Sequence, residues 1–141
     1  MVTSPGCIYK LGDFGASHQI PQGSSAISGI KVGTRGYMAP EVLSEGVVSF
    51  ASDIWSLGVL IYVIACGELP YEVDNERETS EFYRAPKKYL KARQRWKRMS
   101  RVLRRLVLDM MDLNPQNRLT IGAALQSPCF PGRARTAEKD N

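Results

Sequence analysis

The sequence has few cysteines, one histidine and no long apolar run. Cys7, Cys66 and Cys129 are far apart and form no C-x-x-C pair, so we expect neither a disulfide framework nor a zinc site. The longest mostly apolar stretch, residues 57–67, is too short to span a bilayer, and no secretory signal is visible at the N-terminus. The length of 141 residues allows one domain at most. The absences predict that this domain has no membrane span and lies in the cytoplasm or another intracellular compartment.

Acidic residues are missing from one long window, residues 82–108. The window holds eleven of the 19 basic residues and accounts for the whole net charge of +5. These residues are Arg84, Lys87, Lys88, Lys91, Arg93, Arg95, Lys97, Arg98, Arg101, Arg104 and Arg105. The window is interpreted as a solvated face whose long side chains cover Tyr89 and Trp96, or as a docking surface for an acidic protein partner. Binding to nucleic acid or to an acidic membrane is the least favoured interpretation.

Turn residues and apolar spacing predict a mainly α-helical chain. We expect a short strand over residues 7–11, a long loop over residues 12–36 and a short helix that begins at Pro40. A second helix, capped by Ser52 or Asp53, runs to Cys66 and is apolar on nearly all sides, so we expect protein to surround it. Residues 80–113 are compatible with helix except near Pro86, residues 119–125 form a last helix, and the tail from residue 131 is polar. One predicted buried stripe consists of Val102, Leu103, Leu106, Val107, Met110 and Met111.

Four motifs carry the functional signal. Asp13-Phe14-Gly15 follows the predicted strand, and G-T-R-G-Y-M-A-P-E closes the long loop at Glu41. D-I-W-S-L-G opens the apolar helix at Asp53, and Arg118 follows Asn114-Pro115. Their types and order resemble the second half of the catalytic domain of protein kinases, over about residues 7–130, and the Gly33-Thr34 pair resembles the serine/threonine type.

The resemblance implies a fold and a division of the chain. The fold would be mainly α, the C-terminal lobe portion of a protein-kinase-like fold without its N-terminal lobe and catalytic loop. Residues 1–132 would be a partial kinase domain, with an activation segment over residues 13–41 and lobe helices over residues 42–132. Residues 133–141 would be a polar tail.

The resemblance also assigns roles near the nucleotide. Asp13 would bind the Mg²⁺ that bridges the ATP phosphates, Phe14 would pack beneath it, and Gly15 would supply backbone freedom. Thr34 would line the shelf that holds the residue after the phosphoacceptor. Taken alone, Asp13 could cap a turn and Thr34 could be an ordinary turn residue.

Two further assignments concern the base of the lobe. Glu41 would pair with Arg118 in a bidentate ion pair, which suits a guanidinium and a carboxylate. Asp53 would accept hydrogen bonds from the catalytic-loop backbone, or would simply cap its helix, and Trp55 beside it would be structural. In the long loop, Ser24, Ser25 and Ser28 are either phosphoacceptors or plain solvated serines. Ile30 stands where the family often has a phosphosite, and His18 is expected to be a surface residue.

Several groups that the family needs for catalysis are missing. The sequence has no G-x-G-x-x-G, no strand lysine before residue 13 and no H-R-D-x-x-x-x-N. We therefore expect the sequence to begin just after the catalytic loop. The implied function is ATP-dependent phosphoryl transfer to serine or threonine of protein substrates, with ATP and Mg as cofactors. This chain alone is expected to be inactive, not to bind ATP and Mg tightly, and to be only marginally stable. The alternative is a non-catalytic, kinase-like interaction module.

Overall fold

The computed structural model describes residues 10–130. Its helices are α1 Pro40–Glu45, α2 Phe50–Cys66, α3 Glu76–Arg84, α4 Pro86–Ala92, α5 Gln94–Arg98, α6 Arg101–Met110 and α7 Ile121–Leu125. Two short strands, β1 Ala26–Ile27 and β2 Val48–Ser49, and the 3-10 turns Phe14–Ala16, Arg35–Tyr37 and Pro115–Asn117 complete it. This architecture confirms the predicted mainly α fold class. Residues 7–9 of the predicted strand and the polar tail lie outside the described residues, and Lys10 and Leu11 are not in a strand.

The central helix, α2, begins earlier than the sequence suggested. Ser49 is its N-cap, and the Ser49 amide donates to the Ser52 side chain at 3.1 Å. The prediction that Ser52 or Asp53 caps the helix was therefore wrong. Ser52 lies within the first turn, and its hydroxyl accepts a hydrogen bond from the backbone amide of the N-cap residue Ser49. Gly67 ends the helix as predicted, with a left-handed φ of 74° that glycine adopts without strain.

Helix α6 packs against α2 at a close approach centred on Gly58. A Cβ atom at Gly58 would lie 2.9 Å from Met111 Cγ and 3.0 Å from Met110 Cβ, so only glycine lets the two segments meet here. The hydrophobic core around this contact consists of side chains that are at most 7% exposed. Its largest fully buried side chains are those of Trp55, Trp96, Tyr62, Phe82, Leu90, Met110 and Met111.

One side of α2 remains open among residues 10–130, and we call Phe50, Leu60 and Ile64 the open face of α2. These side chains are 70%, 43% and 61% exposed. Helix α2 contacts α6, β2 and two of the 3-10 turns, but within residues 10–130 it is not surrounded on this face. Val102 is also exposed, unlike the other members of its predicted stripe, because it lies on the outer side of α6.

The basic window folds as four short helices rather than one long segment. Pro86 begins α4, as its missing amide hydrogen allows, and Arg93 and Met99 separate the next helices. Ser100 caps α6 by accepting from the Leu103 amide, and Thr120 caps α7 by accepting from the Ala123 amide, so α7 begins two residues later than predicted. None of the helices in residues 10–130 is long and apolar enough to cross a membrane.

The long loop is held to the start of α2. Strand β1 pairs antiparallel with β2, with Ala26 opposite Ser49 and Ile27 opposite Val48. The Ile30 amide also donates to the Gly46 carbonyl oxygen at 3.0 Å. Because β2 leads directly into α2, this pairing brings the loop and the N-terminal turns of α2 together.

Candidate active site

A cavity of 320 Å³ lies between the long loop and the first turns of α2. Asp13, Thr34 and Asp53, which belong to three separate sequence motifs, all line it. His18 and Ser56 line it as well. The structure therefore brings three predicted functional residues to one place.

Asp13, one of the residues that line this cavity, has a strained backbone conformation. Its φ of 58° and ψ of 68° are left-handed, and no other non-glycine residue in the described chain has positive φ. Such a conformation is more accessible to aspartate than to most residues, but it still raises the backbone energy. The Asp13 side chain makes no capping bond to the 3-10 turn that contains Phe14 and Gly15, so nothing supports the turn-cap interpretation. The Phe14 side chain is 63% exposed, because no helix, strand or turn of residues 10–130 covers it. The predicted packing of Phe14 beneath the Asp13 site is therefore not seen in the described residues.

Thr34 and Asp53 line the cavity from two different elements, the 3-10 turn Arg35–Tyr37 that Thr34 precedes and helix α2. Thr34 has extended backbone (φ −83°, ψ 117°), and its carbonyl oxygen accepts a hydrogen bond from the Tyr37 amide at 2.9 Å. The Thr34 hydroxyl forms no capping hydrogen bond to the 3-10 turn that follows. Burial raises the pKa of the Asp53 carboxyl, which forms no hydrogen bond with another side chain or amide in the described chain. Ser56 joins the walls, because its hydroxyl donates to the Tyr37 carbonyl oxygen at 2.8 Å.

Behind this cavity, Glu41 and Arg118 form a bidentate ion pair. The two terminal guanidinium nitrogens of Arg118 donate to Glu41 Oε1 and Oε2 at 2.6 and 2.7 Å. The side chains are 0% and 11% exposed for Arg118 and Glu41. Arg118 also donates to the carbonyl oxygens of Asp112 and Ala51, at 2.8 and 3.0 Å. One buried guanidinium thus joins three separate segments.

The ion pair sets the protonation of Glu41. Burial by itself would raise the pKa of Glu41, but the hydrogen bonds and charge of Arg118, with a hydrogen bond from Ser52 at 3.1 Å, lower it below its ordinary value of 4.5. A lowered folded-state pKa stabilises the fold above the unfolded value. This contribution is therefore complete above about pH 4.5 and is lost as the pH falls through the lower pKa of the folded state.

Sequence reasoning missed some members of this region. Ser52 links the ion pair to the cavity wall, and Ser56 links that wall to Tyr37. The hydroxyl groups of the buried Tyr71 and the partly buried Tyr83 hold the segment after Thr34. Ser56 lies inside the D-I-W-S-L-G motif and could have been noticed there, whereas no spacing in the sequence relates Tyr83 to Thr34.

The remaining loop residues are peripheral. His18 is exposed, although it lines the cavity, and its Nδ1 lies 3.1 Å from the Ala16 carbonyl oxygen. Ser24, Ser25 and Ser28 are exposed. Ser25 lines a different cavity with Glu41 and Glu45, so a phosphate there would face carboxylates rather than cations.

Comparison with known proteins identifies the family. The protein kinase domain model matches residues 1–130. The chain is 48% identical over 67 residues to a human ribosomal protein S6 kinase-related protein, covering 48% of this chain and 16% of that protein. It is 31% identical over 133 residues to the calcium/calmodulin-dependent protein kinase type II alpha chain of Drosophila melanogaster, covering 94% and 24%. It is 29% identical over 131 residues to a serine/threonine-protein kinase H1 homolog of Danio rerio, covering 92% and 30%.

The chain spans less than a third of the length of each of these relatives. The family match nevertheless covers nearly all of this chain and the whole described structure. This match, the mainly α fold and the similarity to serine/threonine kinases show that the chain belongs to the protein kinase family. The chain corresponds to a part of the kinase domain that resembles the C-terminal lobe.

Proposed function

We propose that this chain is the substrate-holding portion of a serine/threonine protein kinase, which transfers phosphate from ATP to protein hydroxyl groups. The observation that carries the proposal is the shared cavity of Asp13, Thr34 and Asp53. In this proposal Asp13 faces the metal and nucleotide, Thr34 faces the peptide, and Asp53 anchors the catalytic loop. An ATP-dependent enzyme of this kind would act in the cytoplasm or another intracellular compartment.

The residues present suit magnesium only in part. Among residues 10–130 no group of three or more His, Cys, Asp or Glu side chains could hold a metal ion. A lone carboxylate still fits Mg²⁺, because this cation is usually held by one or two carboxylates together with substrate phosphates and water. Asp13 would be that protein ligand, and Mg²⁺ would neutralise charge on the phosphates.

The chain by itself is proposed to be inactive. Phosphoryl transfer depends on positioning and charge stabilisation. The sequence lacks the glycine-rich loop, the strand lysine and the catalytic aspartate that supply both in the family. We expect purified chain to transfer no phosphate, and activity that disappears on Asp13→Ala would contradict this.

A chimera tests the active role of Asp13. Residues 10–130 would replace the matching part of the Drosophila calcium/calmodulin-dependent kinase, whose upstream half would supply the missing groups. Asp13→Asn is expected to lower kcat by about 10²–10³-fold, the range for loss of one preorganised electrostatic group. The measurement is transfer of labelled phosphate from ATP to a peptide.

Asp74→Asn, an exposed carboxylate away from the cavity, is the matched control and should leave kcat unchanged. A folded chimera that is inactive with Asp13 intact would favour the non-catalytic interaction module. The transcript upstream of Met1 discriminates as well, since an in-frame H-R-D-x-x-x-x-N favours the enzyme.

The basic window is proposed to be a docking surface for an acidic protein segment. Lys87, Arg95 and Arg105 are already paired with carboxylates. No ion pair within residues 10–130 involves the exposed cations that we call the basic surface: Lys88, Lys91, Lys97, Arg98 and Arg101. Trp96 is 2% exposed and Arg93 covers the Tyr89 ring, so stacking of nucleic-acid bases on these rings is disfavoured.

Reversing the charge of the basic surface tests the docking proposal. Lys97→Glu with Arg98→Glu is expected to weaken binding of a short poly-glutamate peptide by about tenfold, because like charges repel. Fluorescence anisotropy at low salt measures the affinity. Arg77→Glu, at an exposed position outside the basic surface, is the control. If both variants lose the same affinity for the peptide, or if neither loses any, the basic surface is better interpreted as a solvated face.

A further inference from the structure

Residues on the two sides of the segment 30–35 line two different cavities. Ile30, Val32 and Thr34 line the cavity that contains Asp13. Lys31 and Arg35 line a second cavity of 270 Å³. Gly33 has a φ of 130° and Arg35 begins a 3-10 turn, so the backbone changes direction between Lys31 and Arg35 rather than running on as a strand. Gly33, Met38 and Val42 line both cavities, so the two adjoin directly beside Thr34.

The second cavity is cationic and carries no acidic wall. Its lining consists of Lys31, Arg35, Gly33 and an apolar floor of Met38, Val42 and Leu43. Lys31 and Arg35 are exposed, and neither forms an ion pair with a carboxylate of residues 10–130. A glutamate side chain suits such a site, because its methylene groups match the floor and its carboxylate matches the two cations.

Two tyrosines, the buried Tyr71 and the partly buried Tyr83, hold the backbone of this cavity. Tyr71 Oη lies 3.1 Å from the Arg35 carbonyl oxygen, Tyr83 Oη lies 2.9 Å from the Met38 carbonyl oxygen, and the two hydroxyl groups are 2.8 Å apart. Burial raises the pKa of both hydroxyl groups, so both stay protonated at neutral pH. The two hydroxyl groups have one proton each, so two of these three contacts are hydrogen bonds at any moment. Through them the segment is tied to α3 and to the turn after α2.

We propose that Lys31 and Arg35 select an acidic side chain in the peptide that binds beside Thr34. The ligand is an acidic peptide, and the selecting contact is a carboxylate between the two cations. This inference rests on the proposed function only in taking the bound peptide to be a phosphorylation substrate. The binding itself needs no nucleotide and no transfer.

A pair of short labelled peptides with blocked ends tests the selection. They share one serine and differ only in the next residue, which is glutamate or glutamine. Fluorescence anisotropy with the 141-residue chain is expected to give about fivefold tighter binding of the glutamate peptide at low salt. This preference should fall to less than about twofold near 0.5 M salt, because exposed charges are screened.

Matched variants locate the contact. Lys31→Gln with Arg35→Gln should reduce the preference to none, whereas Lys10→Gln with Arg77→Gln, at two exposed cations outside this cavity and outside the basic surface, should retain it. Circular dichroism checks folding, and if the first double variant is unfolded, Lys31→Gln alone is expected to remove about half of the preference. Equal binding of the two peptides by the unmodified chain overturns the inference, and so does loss of the preference only in the second double variant. Neither result bears on phosphate transfer by the chimera, so the two proposals fail independently.

Discussion

Arg118→Leu is expected to lower the free energy of unfolding by about 3–5 kcal/mol, the range for breaking a buried ion pair. Leucine leaves the largely buried Glu41 carboxylate without its cation. It also removes the donors to the carbonyl oxygens of Asp112 and Ala51. Since whole domains are typically stable by about 5–15 kcal/mol, this loss is a large fraction of the free energy that keeps the chain folded.

Urea unfolding followed by circular dichroism measures this loss. Arg98→Leu, an exposed arginine in no ion pair with residues 10–130, is the control and should change stability by less than about 0.5 kcal/mol. Acid provides a second signature: stability of the unmodified chain should fall as the pH drops below about 4.5, and Arg118→Leu should weaken that dependence. A loss below about 1 kcal/mol would show that the pair behaves like a surface contact.

Trp55→Ala is expected to destabilise the chain by about 3–5 kcal/mol, as large truncations in cores do. Trp55 is fully buried. Its ring stacks on Tyr83 at 5.9 Å, meets Phe82 edge-on at 6.1 Å and lies 5.0 Å beneath the Arg118 guanidinium. Alanine therefore removes contacts that join α2, α3 and the ion pair.

The same unfolding measurement compares this change with two others. Phe50→Ala removes an aromatic ring from the same helix, but this ring is 70% exposed, so its loss should change stability by less than about 0.5 kcal/mol. Trp55→Phe should lose less than alanine, because it keeps most of the volume and removes an indole N–H that has no hydrogen-bond partner among the described residues. Similar losses for Trp55→Ala and Phe50→Ala would contradict the described packing.

Local signals predicted those parts of the fold that depend on a few adjacent residues. Pro40 begins α1, Gly67 ends α2 and Pro86 begins α4, each for a backbone reason that is visible in the sequence. The start of α2 was misplaced because Asp53 looked like a cap, whereas Ser49 and Ser52 form the helix start. Which residues of α2 form its open face could not be read from the sequence, since the exposure of an apolar side chain depends on which segments pack against it.

The candidate site was predictable to a different degree. The family resemblance named Asp13, Thr34 and Asp53, and the structure places all of them around one cavity. Their proposed roles remain predictions. The Tyr71–Tyr83 pair and the separation of Lys31 from Thr34 depend on tertiary contacts and backbone direction, so neither could be read from residue types and spacing.

The Glu41–Arg118 contact also has a consequence for the newly made chain. The partners are 77 positions apart, and at about 5–20 residues per second Arg118 leaves the ribosome roughly 4–15 s after Glu41. Until then Glu41 cannot be buried without an uncompensated charge, and for most of that interval α2 has no α6 to pack against. The nascent polypeptide therefore spends seconds as an unclosed intermediate whose exposed apolar surface favours aggregation.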